Sequence, residues 1–248
     1  MSAASTSSVT GDRVSRKVRR IAAEFPELGR MRHVEANPPS PTAWFVTLAF
    51  IAFCGTLAAV GTATILEALA LVLAWLVIGL VILCYYGAEK VVVLDRGLLI
   101  GSFAPFLRPY VVPFDRFAVG SITAVRPGWK LARMLSPRTS LSTGRTTVWA
   151  FNAVAFVAVL GPVARRKYVD AAGTFGAQPA RRGSIVWWFG TWRQPDRLVG
   201  ALESALVDLG HPVAGLSHHV LPLVRINGKP AAAAAQVPRL VAALDQSS

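Results

Sequence analysis

The chain has 248 residues, 53% of them hydrophobic, and its 26 Lys and Arg against 13 Asp and Glu give a formal net charge of +13. A charge of this size fits nucleic acid, an anionic lipid surface, or the cytoplasmic retention of a membrane protein. Cys54 and Cys84 lie at different depths of one apolar stretch, which excludes an intramolecular disulfide, and the scattered histidines exclude a metal site with recognisable spacing. No metal and no cofactor is therefore predicted.

The residues before the apolar stretch divide into two parts. Residues 1–12 are small and polar and are predicted to be a disordered tail. Residues 13–42 are predicted to be a basic amphipathic juxtamembrane segment, because apolar side chains from Val14 to Phe25 recur at helical spacing with cations between them. Two interpretations stay open. The helix lies on the inner leaflet, where each cation gains about 1 kcal/mol from anionic lipid, or it packs on the protein's own soluble domain.

A transmembrane hairpin is predicted over 43–87, with spans at about 43–61 and 65–86. A helix needs about 20 apolar residues to cross a hydrocarbon core, and this stretch is about twice as long, with a break at 61–64. Glu67 is its one charged residue, and we interpret it as an interfacial carboxylate close to the loop. Trp44, Tyr85 and Tyr86 stand where aromatic rings anchor at the headgroups.

The distribution of charge predicts the topology. Lys and Arg precede and follow the hairpin, whereas the turn between its helices carries none. Cytoplasmic loops are enriched in Lys and Arg, so both termini are expected in the cytoplasm of a two-pass protein of the inner cell membrane.

Short strands are predicted from residue 88 onward. Residues 90–94 and 98–100 read as a hairpin in which Gly97 supplies a positive φ, 110–114 as an edge strand because of Pro113, and 117–125 as a fourth strand. A basic loop follows over 126–147. Residues 148–160 favour a strand over a third membrane span, because the apolar run is short and contains Asn152.

The last part of the chain is predicted to contain one strand and one clear helix. The strand covers 184–192 and includes Trp187, Trp188 and Trp192, whose rings are expected in the core more than on a nucleic-acid surface. The helix covers 195–209, with one apolar stripe that includes Leu209, and ends at Gly210. Residues 211–248 are predicted to be a Pro- and Ala-rich tail.

Three segments carry a resemblance to a known family. VVVLDRGLLIG at 91–101, YVVPFDRFAVGSITAV at 110–125 and SIVWWFGTWRQPDRLVGALESAL at 184–206 resemble the first hairpin, a strand entry, and the last strand with its helix in bacterial pleckstrin-homology-like (PH-like) membrane proteins. The resemblance implies an α+β membrane protein: a two-helix transmembrane hairpin, then over 88–210 a cytosolic antiparallel β-barrel or sandwich with one C-terminal capping helix. Such domains are binding or assembly modules without a common reaction.

No catalytic motif is found. GxSxG, HExxH and the phosphate-binding GxxxxGK[ST] are absent, and acidic residues are too few for a convincing carboxylate pair. The protein is predicted not to be an enzyme.

Two functions are compatible with these features. The first is a membrane-anchored, non-catalytic interaction module that binds anionic lipid headgroups or an acidic partner protein. The alternative is an accessory subunit of a transport or cell-envelope assembly complex that docks through the hairpin. Membrane lipids and a protein partner are expected, nucleic acid is not, and the oligomeric state stays open. The residues predicted to bind the anionic surface are Arg13, Arg16, Lys17, Arg20, Lys130, Arg133, Arg138, Arg145, Arg165, Arg166, Lys167, Arg181 and Arg182.

Overall fold

The fold is α+β, with two mixed sheets and a pair of long apolar helices. The structure is a computed structural model, and it describes residues 9–39, 41–60, 64–128, 130–131, 152–159, 184–191, 194–229, 232 and 234–246. The strands are β1 (Thr10–Gly11), β2 (Met31–Ala36), β3 (Glu89–Leu94), β4 (Gly97–Ser102), β5 (Tyr110–Pro113), β6 (Phe117–Arg126), β7 (Asn152–Val159), β8 (Ser184–Thr191) and β9 (Val224–Arg225). The helices are α1 (Arg16–Ala23), α2 (Pro41–Val60), α3 (Ile65–Gly87), α4 (Asp196–Asp208), α5 (Leu216–Val220) and α6 (Pro238–Asp245).

The first sheet has five strands in the order β1-β2-β3-β4-β5. Its central pairs are antiparallel, with Val34 opposite Val92 and Val91 opposite Ile100, whereas β1 runs parallel to β2. The strand that contains Pro113 is at the edge, as predicted, because proline cannot donate to a neighbour on its far side.

The second sheet has four strands in the order β8-β7-β6-β9. β7 lies between β6 and β8 and pairs antiparallel with both, while β9 runs parallel to β6. The prediction of a strand rather than a third span is therefore confirmed for 152–159.

The inner faces of the two sheets share one apolar core. Val91, Val93 and Ile100 contribute from the first sheet, and Phe156 and Trp187 from the second. Helix α4 closes this core with a stripe of fully buried side chains, as the sequence predicted, although Leu209 lies outside the stripe and is 39% exposed. The buried residues of α4 are Leu198, Val199, Leu202, Ala205 and Leu206.

The outer faces of both sheets are covered as well. Val18 and Ile21 of α1 pack on Val92 and Leu99 of the first sheet, and α6 packs on the second sheet through Leu240 and its neighbours. A sheet buried on both faces needs apolar residues at every strand position, which explains the uninterrupted valines at 91–93. Trp187 and Trp188 therefore point to opposite faces and are both core residues, as expected, whereas Trp192 lies outside the described residues.

Three expectations about the fold need correction. The described strands do not close into a barrel, and the parallel edge pairings make both sheets mixed rather than antiparallel. Gly97 does not adopt a positive φ. Its small size matters for another reason, because a Cβ there would lie 2.9 Å from the Val112 carbonyl oxygen and 3.1 Å from Leu28 Cδ2.

The folded unit also extends beyond the expected limits of 88 and 210. The apolar residues from Val14 to Leu28 pack on the first sheet, so α1 follows the second of its two interpretations. Residues 10–11, which fall within the predicted disordered tail of 1–12, form β1 and pair with β2, so that prediction is wrong for these two residues. At the other end, Leu216, Val220 and Leu240 are buried within what the sequence indicated to be a tail.

We expect Ile21→Ala to destabilise the protein by about 2–4 kcal/mol, because the fully buried side chain leaves a cavity between α1 and the first sheet. Arg19→Ala is the matched control, since Arg19 lies on the exposed side of the same helix and the change should cost under about 0.5 kcal/mol. Urea unfolding of the full chain in uncharged detergent, followed by tryptophan fluorescence, measures both. Equal stability of the two variants would contradict the packing of α1.

Candidate functional site at the base of the apolar helix pair

The most distinctive feature of the molecule is the apolar helix pair, α2 and α3, which is inserted between two adjacent strands. β2 ends at Ala36 and β3 begins at Glu89, and the N–H of Asn37 donates to the carbonyl of Glu89 at 3.2 Å. Gly87 lies so close to Pro39 that a Cβ would be 2.8 Å from its Cδ. Both helices therefore leave the same end of the first sheet, which we call the helix-pair end.

Glycines bring the two helices into close contact. A Cβ on Gly55 would lie 2.8 Å from Val72 Cγ2, and one on Gly79 would lie 2.6 Å from Ile51 Cδ1. The contacts at 55 with 72 and 51 with 79 run in opposite chain directions, so the pair is antiparallel. Small residues at such contacts allow backbones to approach in apolar surroundings.

The remaining surface of the pair is apolar and exposed. Phe45 is 73% exposed, Val60 84% and Ile65 82%. By length and composition α3 is able to cross a membrane over Ile65–Tyr85, whereas the apolar stretch of α2 is shorter, Pro41–Leu57. The expectation of two spans is thus not confirmed by the helices alone.

Glu67 has a local structural role at the start of α3. The N–H of Glu67 donates to Thr64 Oγ1 at 3.3 Å, and the Glu67 carboxylate accepts from the N–H of Thr64 at 3.3 Å. This is the reciprocal capping arrangement that Thr-x-x-Glu sequences form at helix N-termini.

Four of the predicted surface cations lie on or beside α1. Arg13, Arg16 and Arg20 are exposed. Lys17 instead donates to the carbonyl oxygens of Ala104 and Leu107, the latter at 2.8 Å. Burial lowers the pKa of Lys17, and the nearby Arg20 and Arg108 lower it further.

Arg108 completes this group of cations and could not be found from the sequence. Its guanidinium forms a two-pronged ion pair with the Glu24 carboxylate just beyond the end of α1. The two residues are far apart in the chain, and a lone arginine in a loop gives no sign of its partner. Lys17 and Arg108 together bind α1 to the loop between β4 and β5.

The structure does not bring all the predicted cations together. Lys130 follows β6 of the second sheet, and its Nζ donates to the carbonyl of Ile226, one residue after β9, at 3.0 Å. The other predicted surface residues lie outside the described part of the chain: Arg133, Arg138, Arg145, Arg165, Arg166, Lys167, Arg181 and Arg182.

An ion network at the opposite end of the first sheet joins three elements. Arg32 of β2 binds Asp95 in the β3–β4 turn at 2.5 Å and also contacts Asp208 of α4. Burial opposes ionisation of Asp95, but the N–H of Arg30 at 2.7 Å and the Arg32 guanidinium outweigh it and lower the pKa of this carboxyl. Burial lowers the pKa of the Arg32 guanidinium, but its contacts with Asp208 and Asp95 outweigh burial and raise that pKa.

A hydrogen-bonded chain of Thr10, His33 and Glu35 was also missed by the sequence analysis. Thr10 Oγ1 lies 2.9 Å from His33 Nδ1, and His33 Nε2 lies 3.1 Å from Glu35 Oε2. This order of groups resembles that of a nucleophile with its base. Gly11, however, lies against the ring, since a Cβ there would be 2.7 Å from His33 Cε1. No room remains for a substrate, so the chain attaches β1 to β2.

Other candidate sites are weaker. A cleft of ≈ 200 Å³ lies between β6, α5 and α6, which is smaller than the 300–1,000 Å³ typical of ligand pockets. Among the residues that the structure describes, no group of three or more His, Cys, Asp or Glu side chains could hold a metal ion.

Comparison with known proteins does not assign a function to this end of the molecule. No family model matches the chain, and no characterised protein or solved structure matches it either.

We expect the Arg32–Asp95 contact to make the free energy of unfolding depend on pH in the acidic range. Because folding lowers the pKa of Asp95, its contribution is complete above the ordinary pKa of aspartate and is lost as pH falls through the folded-state value. Asp95→Asn should therefore cost about 1–3 kcal/mol at neutral pH and progressively less in acid. Urea unfolding of both proteins between neutral pH and about pH 3 measures the difference; a gap that does not shrink in acid would contradict this assignment.

Proposed function

We propose that this protein is a membrane-anchored, non-catalytic interaction module of the inner cell membrane. The apolar helix pair forms a two-helix transmembrane hairpin, and the two sheets form a PH-like unit on the cytoplasmic face. The observation that carries the proposal is an antiparallel helix pair whose outward surface is apolar and exposed, with Val60 and Ile65 both above 80%. Contiguous apolar surfaces larger than a few hundred Å² are rare on soluble proteins and indicate a membrane or a partner.

The dimensions of the pair support a bilayer over a protein partner. α2 has 20 residues and α3 has 23, and at 1.5 Å per residue each is about 30 Å long or more, the thickness of a hydrocarbon core. Glu67, the one charged residue in 43–86, lies in the first turn of α3 beside the helix connection, where it reaches water. In the sequence every Lys and Arg precedes or follows the hairpin and none lies between its two helices, which supports a cytoplasmic location for the sheets.

The exposed cations of α1 support binding of anionic headgroups. Lys17 links α1 to Ala104, and the residue before Ala104 donates its N–H to the carbonyl of Ala88, next to the end of α3. Arg16 and Arg20 are therefore attached to the helix-pair end of the first sheet. Each cation near an anionic surface gains about 1 kcal/mol, so this group favours phosphatidylglycerol-like headgroups beside the hairpin.

The anchoring is tested by extraction and by topology. We expect the full chain to stay in the membrane fraction through alkaline carbonate, and reporter fusions at residues 2 and 248 both to report the cytoplasm. Release by carbonate, or reporters on opposite sides of the membrane, would overturn the two-pass anchor.

The lipid preference is tested with spin-labelled lipids around the reconstituted full chain. We expect Arg16→Gln with Arg20→Gln to reduce the preference for phosphatidylglycerol over phosphatidylcholine by about tenfold or more, as two lost cations imply. Arg96→Gln with Arg116→Gln is the matched control, because both residues are exposed at the far end of the first sheet. Equal effects of the two double variants would mean that net charge, not α1, sets the preference.

A further inference from the structure

We propose that the loop between β4 and β5 inserts the ring of Phe106 into the lipid interface as a second membrane contact beside the helix pair. The inference rests on the proposed membrane anchor. Phe106 lies outside both apolar helices, and the proposed contact of its ring is with lipid.

Phe106 occupies a position that disfavours its own side chain. The N–H of Leu107 donates to the carbonyl of Ala104 at 3.2 Å, and Phe106 has φ 65°. A four-residue turn with proline second and a positive φ third normally has glycine or asparagine at the third position. A bulky residue with positive φ is strained, and such strain is found at functional sites.

The ring of Phe106 is also fully exposed, at 103% of its reference area. An isolated exposed apolar residue needs no explanation, but the combination of exposure and backbone strain does, because neither helps the protein to fold in water. A partner that buries the ring accounts for both.

The loop lies at the helix-pair end of the first sheet. Ser102, the last residue of β4, pairs with Glu89, the first residue of β3. The N–H of Phe103 donates to the carbonyl of Ala88 at 2.9 Å, one residue after the end of α3. Phe106 follows three residues later, so its Cα is within about 10 Å of that point.

Polar contacts hold the loop on both sides of the ring. Lys17 Nζ bonds the carbonyls of Ala104 and Leu107, which flank the turn residues Pro105 and Phe106. The Arg108–Glu24 ion pair holds the next residue to α1. The turn is thereby fixed in a conformation that leaves the phenyl ring projecting.

The surroundings of the ring match a lipid interface more than a protein surface. Pro105 and Phe106 form an exposed apolar tip, and the cations Arg20 and Arg108 lie near Lys17, which bonds the two residues that flank the tip. In segments that lie at a membrane interface, Phe side chains enter the boundary between headgroups and acyl chains, while cations beside them meet anionic lipid. The tip and the end of α3 therefore contact the same bilayer surface.

The test places a fluorescent label in the full chain, with Cys54→Ala and Cys84→Ala removing the native thiols. Phe106→Cys, Leu69→Cys and Arg96→Cys each receive one solvatochromic label in nanodiscs of equal phosphatidylcholine and phosphatidylglycerol that carry a headgroup-depth nitroxide quencher. Leu69 is in the helix pair, and Arg96 is exposed at the far end of the same sheet. We expect the label at 106 to be quenched at least about twofold more than at 96, as headgroup depth implies.

Each outcome has a distinct meaning. Quenching at 69 but not at 106 overturns the Phe106 contact and leaves the anchor intact, whereas quenching at neither site overturns both. A label at 106 that is shielded from water yet not quenched indicates a second copy of the chain and also overturns the proposal.

A second variant shows whether the phenyl ring itself drives insertion. A label at Pro105→Cys reports the same turn while Phe106 is either retained or changed to glycine. Phe106→Gly should raise the unfolding temperature in detergent, because glycine relieves the positive φ, and should lower quenching at 105 by about half or more. Unchanged quenching would mean that the ring makes no lipid contact.

Discussion

The antiparallel pairing of β2 with β3 is the constraint on which the rest of the structure depends. Ala36 lies opposite Lys90, so a chain that leaves the sheet after Ala36 must return beside the same point. The segment between these two residues therefore begins and ends at the same end of the sheet. Two antiparallel helices, one leading away from the sheet and one leading back, are the simplest way to meet this requirement. The pairing fixes the shared origin of α2 and α3, and the contacts at Gly55 and Gly79 then keep the two helices together along their length.

Because apolar elements cover both faces of both sheets, the hydrogen bonds and ion pairs at the sheet edges have a specific role. The apolar layers define which elements touch but allow sliding, because hydrophobic burial is not directional. Hydrogen bonds and ion pairs at the rim define the register: Lys17 holds α1 to the β4–β5 loop, and Arg32 holds β2 to α4. On α4 itself, hydrogen bonds from Ser217 and Gly215 lower the pKa of Glu203 and hold the start of α5.

Elements with one strong local signal could be predicted from the sequence, and elements defined by distant partners could not. The β3–β4 hairpin, the strand β7 and the helix α4 follow from apolar runs and turn residues. Helix α1 shows the limit, because an apolar stripe with cations opposite suits a lipid surface and a sheet equally well. The sequence analysis missed β2 because it contains His33 and Glu35, which are typical of solvent-exposed segments. Both are buried here, where His33 is hydrogen-bonded to Thr10 and to Glu35, and the sequence gives no sign of these contacts. The predicted basic surface was similarly divided, because Lys130 donates to Ile226 next to β9, away from the cations of α1.

The insertion of the helix pair within the first sheet sets an order of events during synthesis. β1, α1 and β2 leave the ribosome before the helices, and β3, β4 and β5 leave it after them. The early half of the sheet must wait with an unpaired edge and the exposed apolar stripe of α1 until the later strands arrive. Because α2 and α3 lie between the two halves, the sheet is completed only after both helices have been synthesised, and a delay at that step would leave the early strands exposed to aggregation.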